Sequence, residues 1–453
     1  MASSSGLIKK LKITEPLSTF PFSILDHADT LEQLDVSGTG LSSLPREISR
    51  LKKLKIAFFS YCNFTVFPKE LASCPALEMV AFRDNGMEDI PEDVLPPRLR
   101  WLILTNNALT KLPKSIGKCS RLQKCMLSEN QLHDLPEEMM ACQKLGLLRL
   151  SANRIETLPS WLFQMPELSF LSFADNPCST ASGTSSIPSP SLAQVSWSDL
   201  EVQELLGEGA SGIISKGIWK VNGQKHDVAV KLFKGDITSD GTPVDEMRAC
   251  IVAGAHDNLI DPLGKVHDHP NKKGLVMQLI PPNYSTLGLP PSLQTCTRDC
   301  FLPSMGLSTY QGLGILMSIA AAAVHLHEKG VSHGDLYAHN ILYNEDGHAL
   351  LGDFGAASIY AGTAYPVERL EVLGFAHLLE DVWGLIKPGF NGTELRAHMQ
   401  LEALHKRCAS TNVIKRPGFH DILAELSGLH TLLSSSHIHR IRNRRPSLVE
   451  VRA

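Results

Sequence analysis

The chain has 453 residues, room for two or three domains at ~150 residues each, each large enough to bury a sizeable core. Hydrophobic residues make up 43% and charged residues 20%, and 43 Lys and Arg stand against 47 Asp and Glu, a formal charge of −4. That excludes a wholly disordered chain and leaves no overall attraction to nucleic acid or an anionic membrane. No run of 18 apolar residues occurs and the opening MASSSGLIKKLKI has no signal-like apolar stretch, so a cytoplasmic chain without a membrane span is expected.

The first half repeats. A proline recurs at 45, 68, 91, 113, 136 and 159, at intervals of 22 or 23 residues, each after an apolar residue. Upstream of each lies a fixed frame, for example Leu99, Leu102, Leu104, Asn107 and Leu109, or Leu122, Cys125, Leu127, Asn130 and Leu132. This resembles the leucine-rich-repeat pattern. Seven units run from Leu31 to Cys178, preceded by a weaker one carrying Leu11, Ile13, Leu17, Phe20 and Pro21. One such unit cannot bury its own apolar face, so the units are predicted to stack into an α/β solenoid with one short strand each. The recurring Asn (Asn85, Asn107, Asn130, Asn153, Asn176) is expected inside, bonding the turn backbone. Thr39 and Cys62 hold that slot in the first two full units and should satisfy it less well. The ten cysteines include no C-x-x-C pair, which argues against a zinc ribbon or a redox pair and for small buried apolar residues.

Alternate strand residues face outward on the concave side. Ile56, Phe58, Met79, Trp101, Ile103, Met126, Leu147 and Phe170 then form one apolar stripe. Exposed apolar surface of this kind marks a contact face, for a protein substrate or regulator or for the second half of this chain. The alternative is a shifted strand register that makes these side chains core.

Residues 179–191 (STASGTSSIPSPS) have linker composition. Beyond them, Gly207, Gly209 and Gly212 form G-x-G-x-x-G, followed by Val228-Ala229-Val230-Lys231, then His333-Gly334-Asp335 with Asn340, then Asp353-Phe354-Gly355. Four motifs in this order resemble the eukaryotic-type protein kinase domain. The expected architecture is therefore two-domain, an α/β leucine-rich-repeat solenoid (1–178) followed by an α+β bilobal kinase fold (198–430). A linker (179–197) joins them and a basic flexible tail (431–453) follows.

The resemblance implies ATP and Mg²⁺ as cofactors. Gly207, Glu208, Gly209, Ala210, Ser211, Gly212 and Ile214 would cover the nucleotide, since glycines let the backbone approach phosphates. Lys231 would contact the α- and β-phosphates and needs a carboxylate behind it, Glu246 or its neighbour Asp245. Met277 would back the adenine pocket. Asn340 and Asp353 supply the oxygen ligands that Mg²⁺ prefers. Asp335 would accept the proton of the attacking hydroxyl.

Three departures stand out. Gly334 replaces the Arg usual before the catalytic Asp. Tyr337 stands where a serine/threonine kinase has a γ-phosphate Lys, with His339 as a nearby source of charge. Only 17 residues separate Asp353 from Glu371, the counterpart of the Asp that opens the following helix, and no A-P-E is present. Arg416 thus lacks its usual partner, with Glu368 as a candidate substitute. The expected activity is phosphorylation of protein Ser or Thr hydroxyls. The alternatives are an ATP-binding pseudokinase scaffold and a small-molecule kinase. The tail carries Arg440, Arg442, Arg444, Arg445 and Arg452 against Glu450, and Arg444-Arg445-Pro446-Ser447 resembles a basophilic phosphorylation site at Ser447.

Overall fold

A short strand whose middle residue is apolar can bury it only against the unit before and the unit after, and the first half is built on that constraint. In the computed structural model, which describes residues 8–180, 192–209, 211–235, 240–361, 363–387 and 392–443, eight three-residue strands form one parallel sheet in chain order. They are β1 (Lys10–Lys12), β2 (Gln33–Asp35), β3 (Ile56–Phe58), β4 (Met79–Ala81), β5 (Trp101–Ile103), β6 (Lys124–Met126), β7 (Leu147–Arg149) and β8 (Phe170–Ser172). Ala210, residues 181–191 of the linker and Ser447 lie outside the described residues.

The register places Gln33, Ile56, Met79, Trp101, Lys124, Leu147 and Phe170 in one row. The strand centres, Leu34 through Leu171, are buried. Asn130 shows the turn chemistry. Its amide nitrogen donates to the carbonyls of Leu104 (2.9 Å) and Leu127 (3.0 Å), and its oxygen accepts from the Leu109 N–H (3.1 Å). Thr39 and Cys62 each donate to the Val36 carbonyl (2.8 and 3.3 Å) and accept no backbone N–H among the described residues. The recurring prolines other than Pro91 precede 3₁₀ turns such as Lys114–Lys118, which buries Ile116; their fixed φ suits that entry.

The second half is bilobal. Its upper sheet runs β10 (Leu200–Glu208), β11 (Gly212–Val221), β12 (Gln224–Phe233), β14 (Gly274–Gln278), β13 (Pro262–His267) and β9 (Ala193–Ser196). After a short α1 (Pro177–Thr180), the helices are α2 (Pro243–Ala253) in the upper lobe, then α3 (Thr309–Glu328), α4 (Val367–Leu385), α5 (Gly392–Cys408) and α6 (Phe419–Asn443) below. α3 is long and apolar enough by composition to cross a membrane, but most of that window is buried, beneath α4 and α6.

Two expected boundaries are corrected. Residues 193–196, assigned to the linker, form β9, which pairs in parallel with β13 and buries Val195 among Val228, Val266 and Val276. The assigned tail begins inside α6, which continues to Asn443 and buries Leu433 in the lower core.

The concave stripe is corrected as a free partner face. Met79, Leu147 and Phe170 are buried. Phe170 stacks on Tyr337 of the second half, ring centroids 4.0 Å apart at 14°. Trp101 donates its indole N–H to the Cys296 sulfur. Of the two contacts the sequence left open, the chain's own second half takes this end of the stripe. Ile56, Phe58 and Ile103 remain half-buried.

The two halves share a core at the solenoid's end. Val367, Leu370 and Val413 belong to the same apolar cluster as Leu168, Leu171 and Phe173. Tyr365 stacks on Phe163 (5.2 Å) and its hydroxyl accepts from the Leu158 N–H (3.0 Å). Arg416, 1% exposed, donates to the carbonyls of Ser410 (2.9 Å), Arg369 (3.0 Å) and, across the boundary, Pro166 (2.7 Å). Burial among carbonyls lowers its pKa to about 10. Glu368 is not its substitute partner, because that carboxylate accepts the Phe419 N–H at the start of α6 (2.7 Å).

Candidate active site

β11 and β12 pair so that Ile214 lies opposite Lys231, which sets the phosphate loop above the lysine. A Cβ on Gly212 would stand 2.9 Å from the Leu232 carbonyl and 3.3 Å from the Lys231 side chain, so this position requires glycine; Gly207 and Gly209 have open space around them. Gly209, Ser211, Gly212, Ile214, Met277 and Asp353 line one cleft with Lys231. Glu208 turns away and pairs with Lys234 (2.6 Å).

α2 begins with Thr242 as N-cap and Pro243 at its first position, both favourable starts. One turn in, Glu246 meets the Lys231 ammonium, both side chains buried; Asp245 instead bonds Thr242 (2.6 Å). Asp353 lies 3.6 Å from the same ammonium. Burial opposes the Lys231 charge, but Asp353 and Glu246 together hold it above its usual range. Burial lifts the Glu246 carboxyl to about 7, with Lys231 pulling it down and Asp353 pushing it up. Burial likewise works against Asp353, yet Lys231 and the Gly355 N–H keep its carboxyl below the ordinary value. Two carboxylates share one cation, an excess of negative charge that suits a divalent ion.

The catalytic-loop backbone is held from beneath. Glu371 accepts the N–H groups of Gly334 (2.7 Å) and His333 (3.3 Å) and pairs with His327 (2.8 Å). Burial raises its pKa, but those partners leave it lowered on balance. Asn340 donates its amide N–H to Asp335 Oδ2 (2.9 Å) and to the Asp335 carbonyl (3.0 Å). His339 sits on Asp299 (2.7 Å). Burial lowers its pKa, but the Asp299 bond raises it on balance, so this ring is already engaged by a carboxylate.

Sequence reasoning missed Arg149, whose guanidinium reaches Asp335, the Gly334 carbonyl and Asp240. Its signal was an arginine in an outward row that runs through Phe58, Ala81, Ile103 and Met126 before it.

All three departures from the kinase pattern meet the solenoid. Gly334 has φ +70°, and a Cβ there would lie 2.5 Å from the Ala356 carbonyl and 2.8 Å from that of Leu171. Tyr337 lies under Phe170 with Leu147 and Met126. The shortened segment runs along the solenoid end, where Ser358 accepts the Phe173 N–H (2.8 Å).

Comparison with known proteins agrees with this geometry. A family profile described as "Protein tyrosine and serine/threonine kinase" matches residues 200–372, and one described as "Leucine rich repeat" matches residues 97–155. The chain is 28% identical over 169 residues to a probable serine/threonine-protein kinase of Dictyostelium discoideum, covering 37% of this chain and 11% of that one. It is 30% identical over 165 residues to the angiopoietin-1 receptor of Danio rerio (35% and 15%) and 26% over 167 residues to a serine/threonine-protein kinase of Candida albicans (36% and 22%). The chain thus spans less than a quarter of the length of each of these relatives. With repeats, cleft and profiles in agreement, the chain is a leucine-rich-repeat solenoid joined to a protein kinase domain.

Proposed function

We propose that the chain is an ATP- and Mg²⁺-dependent protein kinase acting on protein Ser or Thr hydroxyls. The observation that carries this reading is the joint placement of Lys231, Glu246 and Asp353 on one side and Asp335 and Asn340 on the other. Phosphoryl transfer depends mainly on positioning and charge neutralisation, and this set supplies both. Lys231 would hold the α- and β-phosphates with Glu246 fixing it, and Asp353 and the Asn340 oxygen would hold Mg²⁺, which neutralises phosphate charge. The substrate hydroxyl would attack the γ-phosphorus, ADP would leave, and Asp335 would take the hydroxyl proton.

Serine/threonine specificity draws support from the printed names of the Dictyostelium and Candida relatives. Ten free cysteines support a reducing, cytoplasmic setting. The groove left for a protein substrate or regulator is the open end of the concave face, between Gln33, Ile56, Trp101 and the loop carrying Gln294.

A second reading has its own observation. Phe170 covers Tyr337, on the side from which a peptide would approach, which favours an ATP-binding scaffold. Incubation of the full chain with radiolabelled ATP and Mg²⁺ beside Asp335→Asn separates the two. Label in the wild type well above the variant supports the kinase. Equal label in both contradicts it and, with retained ATP binding, leaves the scaffold.

A further inference from the structure

Arg149 bonds the catalytic loop from the solenoid side. Arg149 ends β7 and is 2% exposed. Its Nε donates to Asp240 (2.6 Å), its Nη1 to the Gly334 carbonyl (2.8 Å) and its Nη2 to Asp335 Oδ1. All three bonds cross into the kinase half, and none reaches the solenoid among the described residues. A buried guanidinium is tolerated only when fully bonded and paired, so Arg149 is satisfied only in the docked arrangement.

Its two carboxylate partners lie on opposite sides of the cleft. Asp335 belongs to the catalytic loop. Asp240 lies two residues before Thr242, the N-cap of the helix that carries Glu246. Between them, Gly241 approaches the solenoid so closely that a Cβ there would lie 3.2 Å from that of Ser151. The solenoid therefore touches both the start of α2 and the catalytic loop.

We propose that Arg149 is a positioning residue for phosphoryl transfer. It holds Asp335 on the side opposite Asn340 and ties the start of α2 to the loop, so the solenoid completes the active site. This rests on the reading of Asp335 as the group that receives the hydroxyl proton. The contact does not plug the nucleotide cleft. With the solenoid docked, Lys231 keeps Glu246 and Asp353 beside it, and among the described residues none of the solenoid lines the nucleotide cleft. Each carboxylate oxygen of Asp335 has more than one lone pair, so a bond from either flank leaves acceptor capacity for a substrate hydroxyl.

The test uses the full chain as wild type, Arg149→Ala, Arg149→Lys, Asp240→Asn and Asp335→Asn. Turnover is read as Mg²⁺-ATP hydrolysis and self-phosphorylation, and loop order as amide hydrogen exchange. Arg149→Ala should lower kcat by roughly ten- to a hundredfold, the scale of losing alignment at a reacting group, with the KM for ATP within about twofold. Arg149→Lys should recover part of the loss, because one ammonium keeps the charge without the fork. Asp240→Asn, which leaves Asp335 its partner, should lose several-fold in kcat. Exchange should rise at 333–341 and 240–253 in Arg149→Ala while the solenoid strands stay protected. Unchanged or increased turnover in Arg149→Ala, or unchanged turnover in Asp240→Asn, overturns the proposal, an increase marking a plug instead. Wild type no more active than Asp335→Asn would defeat the catalytic reading alone. Exchange would then still decide whether Arg149 orders the loop, and unchanged exchange would overturn that too.

Discussion

The carbonyl oxygen of Leu171, at the centre of the last solenoid strand, lies 2.8 Å from where a Cβ on Gly334 would stand. Position 334 also has φ +70°, a conformation that disfavours any residue with a side chain. The glycine before Asp335 is thus required by this backbone conformation together with two close carbonyls, that of Ala356 in the second half and that of Leu171 in the docked solenoid. Gly334→Ala should cost ~2–3 kcal/mol, from left-handed strain and the two carbonyl contacts together, and Gly334→Arg at least as much. Denaturant titration of the full chain checks this through a lowered midpoint at unchanged slope. An unmoved midpoint would mean that position 334 is neither left-handed nor crowded by the Ala356 and Leu171 carbonyls.

A second consequence of docking is a pH dependence. Glu129 of the solenoid turns toward Asp175 and Asp245 at the start of α2. Burial first, then these two like charges, raise its carboxyl to about 7, and one of its oxygens is buried without a partner. A carboxyl whose folded pKa lies above its unfolded value of 4.5 binds more protons in the folded state. Its stabilising contribution is therefore full below pH 4.5 and lost as pH rises through about 7. Glu129→Gln should flatten the stability profile between pH 5 and 8. It should stabilise the chain at pH 8 by roughly 1 kcal/mol or less, since the side chain is partly solvent-screened. Thermal unfolding across that range is the measurement, and parallel profiles for wild type and variant would count against it.

The solenoid was legible because its signal is local and periodic. Once the prolines and leucines set the frame, the rows through Ile56, Trp101 and Phe170 followed, as did the inward Asn130. The cleft residues were legible because each motif lies within a few consecutive positions. Relations between the halves were not. Gly334, Tyr337 and the short segment after Asp353 read in sequence as features lost from a kinase, because the Leu171 carbonyl, the Phe170 ring and the Phe173 N–H that they meet lie far upstream, 185 residues for the Phe173–Ser358 bond. Arg149 was visible in its row, but an exposed arginine and a buried arginine on two carboxylates look alike in one dimension. Val195 was hidden because a four-residue strand beside a Ser- and Pro-rich stretch leaves too little alternation to read. The end of α6 was hidden because His437 through Arg442 have the composition of a solvated tail.

The docking of the solenoid on the catalytic loop is tested most directly by a double-mutant cycle between Phe170 and Tyr337, read as unfolding free energies of the full chain. The two rings stack at 4.0 Å and are 1% and 5% exposed. Phe170→Ala alone should cost ~3–5 kcal/mol, and the pair should show a coupling of about 1 kcal/mol, the scale of a stacked aromatic contact. Single-variant losses that add to within ~0.3 kcal/mol would show that the rings do not touch, and that the solenoid does not lie on the kinase half as described.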